Sequence, residues 1–281
     1  MILATQRAIV RMLFDPDFAA AVRADPATTL PHLSPALRDQ LAALDERVLR
    51  VDRLRRRRAL RTLCDEWKAT TTLTLAETGS LATLDAFFSS HHFHQAVEDR
   101  GSMPLGFAAF LAERIADGTL RTRILPEVLT VETTLAVVRR APPDPPAVPG
   151  PLTDDRRVQR SPGAHPIRVA AGATQAMAQV DRYLFEVGLM PAVALCDDAP
   201  QLHLDARAAN ATPLYLVVVR IASGPTLVTV DEPLYQVLSS TSPTPRKVSA
   251  VLADAKQRGI PIDDARQILT SLVDDELVIP T

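Results

Sequence analysis

Apolar residues recur at helical spacing from residue 5 to about residue 140. In TQRAIVRMLFD, Ile9, Met12 and Leu13 fall at i, i+3 and i+4, and Asp15-Pro16 then reads as an N-cap followed by proline at the first helical position. Ser34-Pro35 repeats that start signal. It opens what reads as one long helix, with Leu37, Leu41, Leu44, Val48 and Val51 on a single seam, running on through LRRRRALRTL. Shorter helices are predicted at 81–88, 91–99, 104–117 and 126–139, separated by Gly79, Gly101 and Gly118. This half of the chain is expected to be all-α.

The rhythm stops at APPDPPAVPGPL. Prolines remove backbone donors and disfavour both helix and sheet, so residues 141–164 read as an extended linker between a helical domain, 1–140, and a second domain, 165–281. In the second domain HPIRVA suggests a strand, ATQAMAQVDRYLFEVG a helix, and PAVALCDD and QLHLDARA possible strands. LYLVVVRI is rich in β-branched residues and predicts a strand, which Gly224-Pro225 turns into TLVTV. Three helical patterns close the chain: EPLYQVLSS, PRKVSAVLADAKQ and DDARQILTSLVDDELV, the last with Ala265, Ile268, Leu269, Leu272 and Val273 on one face. The expected fold class is therefore α+β, an all-α N-terminal domain followed by an α+β domain. Two strands leading into three helices give residues from about 212 to 281 the order of a winged helix-turn-helix.

Composition narrows the function classes. A chain of 281 residues, about half apolar, buries a substantial core. A net charge of −2 supplies no global field toward nucleic acid or an anionic lipid surface. Cys64 and Cys196 lie far apart, which fits neither a disulfide framework nor a C-x-x-C pair and points to reduced thiols. The opening MILATQRAIVRMLFDPDF is apolar too briefly for a secretory segment, and no apolar run is long enough to span a bilayer. The expectation is a cytoplasmic protein with no membrane partner.

Candidate chemistry is sparse. In SSHHFHQAVEDRG, His91, His94 and Glu98 fall at i, i+3 and i+7, as a two-histidine, one-carboxylate metal site on one helix face would need. The plainer reading packs Phe87, Phe88 and Phe93 inward and leaves the imidazoles of His91, His92 and His94 solvated. Neither a Gly-rich phosphate loop nor a G-x-S-x-G elbow occurs, so no catalytic residue is assigned. Arginines 53, 55, 56, 57, 58 and 61 wrap one helix, either salt-bridged to acids such as Asp52, Asp65 and Glu66 or docking an acidic protein or peptide, with nucleic acid as the third reading.

A winged-helix order suggests a DNA-binding regulator, but Asp263, Asp264, Asp274 and Asp275 against a single Arg266 would face phosphates with net negative charge. The same architecture offers a sheet edge beside an apolar helix. An extended peptide adding to TLVTV gains backbone hydrogen bonds while its side chains fill the crease. The alternative is that TLVTV is an interior strand with both edges covered.

VDEPLYQVLSS…VSAVLADA…ARQILTSLVDDELV resembles the peptide-recognition element of peptide-maturation systems, which holds the leader of a ribosomally made precursor. LFDPDFAAAVRADP, LDERVLRVDRLRRRRALRTL, LDAFFSSHHFHQAVEDRG and PLGFAAFLAER, with the IRVAAGATQAMAQVDRYLFEVGLMPAVALCDD region, are similar to accessory proteins that partner multinuclear non-heme iron oxidases of the TIM-barrel type, those of the methanobactin and 3-thiaglutamate pathways among them. The resemblance implies a non-catalytic subunit that forms a heterodimer with the oxidase and presents the precursor peptide, with the irons in the partner and no cofactor of its own. It implies that the leader strand lies along Thr226, Leu227, Val228, Thr229 and Val230 and against Ile268, Leu269 and Leu272. The acidic DDARQILTSLVDD departs from the pattern and would suit a leader with basic residues.

Overall fold

The structure, a computed structural model, describes residues 2–50, 53–99, 101–186 and 201–281. It is α+β, mostly helical, with two small antiparallel sheets. The chain divides into two compact units, residues 1–129 with 176–204, and residues 130–175 with 205–281. The divisions fall within two helices, Leu125–Arg139 and Ala171–Glu186, rather than in the proline-dense segment.

The first unit is built from short helices: α1 (Ile2–Phe14), α2 (Pro16–Ala24), α3 (Pro26–Thr29), α4 (Pro35–Ala42), α5 (Glu46–Arg50), α6 (Arg53–Glu66), α7 (Lys68–Thr78), α8 (Ala82–Asp85), α9 (His91–Glu98), α10 (Met103–Ala116) and the start of α11 (Leu125–Arg139). Sequence-local caps set their starts. The Asp15 carboxylate accepts from the Phe18 N–H at 3.1 Å, and the Ser90 and Ser102 hydroxyls accept from the Phe93 and Leu105 N–H groups. The long helix expected after Ser34 is broken: α4 ends at Ala42, and Asp45 restarts the chain by accepting from the Arg47 N–H at 2.8 Å. Phe87, Phe88, Phe93 and Phe107 are fully buried with Trp67 in an aromatic core whose rings pack edge-on or tilted. Gly106 lets α10 approach α9, since a Cβ there would meet the His92 carbonyl at 3.1 Å and Ala96 Cβ at 3.3 Å.

The second unit begins with β1 (Arg157–Arg160) and β2 (Ala164–Ala170), followed by α12 (Ala171–Glu186), β3 (Pro213–Ile221), β4 (Gly224–Thr229), α13 (Glu232–Ser240), β5 (Arg246–Lys247), α14 (Val248–Gln257), α15 (Ile262–Asp274) and β6 (Val278–Pro280). One sheet runs β2-β3-β4 and the other β5-β1-β6. The expected linker therefore contains a strand. Its proline-dense part is also tied down: the Val148 N–H donates to the Pro280 carbonyl at 2.9 Å, and Arg220 Nη1 donates to the Ala141 and Pro142 carbonyls at 2.7 and 3.0 Å. Proline removes donors but leaves its own and its neighbours' carbonyls to accept. The strand expected at QLHLDARA is instead irregular chain ending in a 3₁₀ turn at Ala206–Ala209, capped by Asp205 accepting from the Arg207 N–H. PAVALCDD lies outside the described residues. Helices α13, α14 and α15 pack on one another around Val237, Leu238, Val251, Leu252, Leu269 and Leu272, with Val217 of β3 reaching the same core. No described helix is long and apolar enough to cross a membrane.

Candidate functional site

Strand β4 pairs with β3 on one side only, and no described strand lies on its other side. The β3–β4 hairpin closes through Gly224, whose φ of +120° suits a residue without Cβ. Partners across the hairpin are Leu216 with Thr229, Val217 with Val228, Val218 with Leu227 and Val219 with Thr226. One step further, the Val230 N–H donates to the Tyr215 carbonyl at 3.0 Å. Backbone groups alternate sides in an antiparallel ladder, so Thr226, Val228 and Val230 bond inward to β3, while Leu227 and Thr229 turn N–H and C=O to the open edge. Pro225 shares the outward phase, where a missing N–H costs nothing, as an edge strand allows. At the opposite edge Pro166 takes the outward phase in the middle of β2 and removes a central donor there. Each edge thus keeps two residues with both backbone groups turned outward, Leu227 and Thr229 on β4 and Arg168 and Ala170 on β2.

Side chains set the face beside that edge. Val217, Val219, Val228 and Val230 share one face of the hairpin, and this face meets the helical core: Val217 is within it, and Val219, Val230, Leu234 and Ile268 pack against it half-buried. Val228 remains 42% exposed, and Ile262 at the start of α15 is 41% exposed. Ile268 is thus placed at the margin of the core, whereas Leu269 and Leu272 are wholly buried within it. Those two are positioned to hold α15 in place and not to touch a peptide. Leu234 of EPLYQVLSS joins this apolar margin with Val219, which the sequence reading did not single out; for Val219 the two-residue spacing of LYLVVVRI carried the signal once the hairpin register was known. Beyond Val230, Tyr215 packs on Tyr235 with ring centroids 4.9 Å apart, and the Glu232 carboxylate beside it, with a smaller effect of burial, pushes the Tyr215 phenol up.

The outer surface of α15 is acidic. Asp263, Asp264 and Asp274 are exposed, and the helix's one arginine, Arg266, is drawn away to Asp154 at 2.5 Å. The apolar margin of β4 therefore lies in the unit that carries this negative surface.

The histidines do not gather as the i, i+3, i+7 spacing suggested. His94 Nε2 lies 3.2 Å from Asp15 Oδ2, both side chains nearly buried, and among the described residues His91, His94 and Glu98 do not form a cluster of potential ligand atoms. Burial alone would raise the Asp15 carboxyl; His94, the Phe18 N–H and Arg11 outweigh it and hold the group below the usual carboxylate range. His92 Nε2 pairs with Glu113 Oε2 at 3.0 Å, so only His91 is exposed and the expectation of solvated imidazoles holds for it alone. His91, His92 and Glu113 bring one potential ligand atom each within 4.8 Å of one another. Ligands of a tetrahedral zinc ion sit about 3.3 Å apart for bonds of about 2.0 Å, so this spread is loose, and the His92–Glu113 pair already accounts for two of the three groups. Phe87, Phe88 and Phe93 do pack inward.

Among the arginines of α6, Arg56 forks onto Asp85 through Nε and Nη2 at 2.7 and 2.6 Å and lies over the Phe88 ring, and Arg61 reaches Asp65 at 3.9 Å. No protein-family model matches the chain, and a search of curated proteins returns no match either.

Proposed function

We propose that the protein is a substrate-holding accessory subunit: its winged helix-turn-helix element, from about 212 to 281, binds the leader of a ribosomally made precursor as an added strand on β4. The observation that carries this reading is the outer edge of β4, which no described strand pairs, with Leu227 and Thr229 aiming donors and acceptors outward beside the apolar margin of Val228, Val230 and Ile268. Each backbone hydrogen bond made there contributes about 1 kcal/mol net, and alternate leader side chains meet either that margin or solvent. The acidic surface of α15 favours a leader with basic residues and disfavours DNA. The chemistry then belongs to a partner, a multinuclear non-heme iron oxidase with which this chain forms a heterodimer and which modifies the peptide that the chain presents.

Peptides selected against the full chain from a random extended-peptide library test the reading. Selected sequences that alternate apolar residues with lysine or arginine, and that lose binding when their own backbone amides are N-methylated on alternate residues, support strand addition. Selected peptides indifferent to N-methylation would contradict it. Co-expression with an iron oxidase of this type, followed by size-exclusion chromatography, tests the heterodimer: co-elution supports it and separate peaks refute it.

A further inference from the structure

Helix α6 divides its arginines between two roles. Leu60, Leu63 and Cys64 are wholly buried, and Arg56 serves the same inner side: its fork closes on Asp85, its Nη1 donates to the Phe14 carbonyl, and only 17% of its side chain is exposed. From residue 55 onward the exposed positions of the helix are Arg55, Arg57, Arg58, Arg61, Thr62 and Asp65. The Arg57 and Arg58 guanidinium groups make no hydrogen bond or ion pair with a described residue, and Arg61, its side chain 61% exposed, reaches Asp65 only at 3.9 Å. Arg61 follows Arg57 by four residues and Arg58 by three, so the three groups share one outward surface within about 6 Å of helix axis. That is inside the screening length of about 8 Å at physiological salt, and their fields add. Like charges at these spacings destabilise a helix slightly, and no described acid pairs with Arg57 or Arg58 to offset the cost.

We infer that the outward face of α6 is an electrostatic docking surface for an acidic helix of a partner protein, whose carboxylates fall opposite Arg57, Arg58 and Arg61. The sign pattern selects this occupant. Asp65 continues the face beyond Arg61, where a phosphate backbone, negative throughout, meets repulsion and a protein helix can place a basic or neutral residue. A lipid surface needs apolar side chains beside the basic ones, and the exposed described positions of α6 supply none. A facing helix also repeats its carboxylates at i, i+3 and i+4, the spacing that the arginines present. With no apolar centre, the contact is salt-dependent and acts mainly on the rate of association, while forked guanidinium–carboxylate pairs fix its register. The surface belongs to the first unit and does not depend on the leader-binding reading.

A display library of helical peptides, selected against the full-length protein at low salt and followed by fluorescence anisotropy of the enriched sequences, tests it. Enriched helices carry Asp or Glu at i, i+3 and i+4, and raising the salt from about 0.05 M to about 0.5 M weakens their binding about tenfold or more. Arg57→Glu combined with Arg58→Glu keeps the circular dichroism spectrum and the urea midpoint, because neither guanidinium has a partner among the described residues, and weakens the same peptides about tenfold or more at low salt. Arg57→Gln combined with Arg58→Gln removes the charge without reversing it and shows part of the same loss. Duplex DNA and phosphatidylserine vesicles are titrated alongside as competing occupants. No acidic helix among the enriched peptides, undiminished affinity in either folded double variant, or tighter arginine-dependent binding of the DNA or the vesicles would overturn the assignment.

Discussion

Val230 donates its backbone N–H to the Tyr215 carbonyl at 3.0 Å, one residue past the end of β4. That bond fixes the phase of the strand, since Tyr215 and Val230 continue the pairing of Val217 with Val228 and Val219 with Thr226. Residues in its phase spend their amides on β3, and residues in the other phase, Pro225, Leu227 and Thr229, face outward. The account of a peptide-holding edge rests on this alternation and on the apolar face that the inward phase presents to α13 and α15.

Val228 pairs with Val217 yet is 42% exposed, so its side chain is available without being required by the core. Val228→Asp is expected to change unfolding free energy by about 0.5 kcal/mol or less, and to weaken binding of a selected peptide about tenfold or more by placing a desolvated charge against its apolar side chains. Urea denaturation and fluorescence anisotropy on the same preparations check both halves.

Adjacent residues of α15 separate packing from recognition. Leu269→Ala empties a fully buried position and is expected to cost about 2–5 kcal/mol, whereas Ile268→Ala, at the half-buried margin, costs about 1 kcal/mol and reduces peptide affinity. Denaturation midpoints combined with binding isotherms distinguish the two.

The Asp15–His94 contact has a pH signature. The Asp15 carboxyl is held below its ordinary range, so the stability it contributes is fully present above the unfolded-state value of about 4 and is lost as pH falls through the lower folded value. Asp15→Asn retains an N-cap acceptor for Phe18 but abolishes this titration. Its unfolding free energy should fall less than the wild type's between about pH 5 and pH 3.

Much of the local fold was legible because short-range chemistry dictates it: Asp15-Pro16 and Ser90 start helices, Gly224 closes the hairpin, and the β-branched LYLVVVRI is β3. Helix α7, KATTTLTLAET, was not legible. Its threonines favour strand by intrinsic preference, yet Thr71, Thr72, Thr74 and Thr78 donate to carbonyls four residues back at 2.7–2.9 Å, which satisfies their hydroxyls inside the helix. The run from Ser34 to Leu63 read as one helix because its apolar seam continues through Asp45, where side-chain capping overrides periodicity. For the candidate site, segment order pointed to TLVTV and α15. Burial then divided Ile268 from Leu269 and Leu272, a distinction that periodicity cannot make because all three share one face.

Cys64 is wholly buried in the folded protein and is expected to be unreactive there. Burial pushes its thiol up to about 12, against a partly opposing contact from Thr71. Iodoacetamide at pH 8 should leave Cys64 unmodified in the native protein and alkylate it fully in denaturant, as read by mass spectrometry of the peptide that contains it.

Amide hydrogen exchange along β4, with and without a selected peptide, tests the central claim most directly. In the free protein Thr226, Val228 and Val230 should be protected while Leu227 and Thr229 exchange rapidly, and saturating peptide should slow Leu227 and Thr229 by about a hundredfold or more. Equal protection of both phases in the free protein, or Leu227 and Thr229 still exchanging rapidly in the complex, would contradict strand addition at this edge.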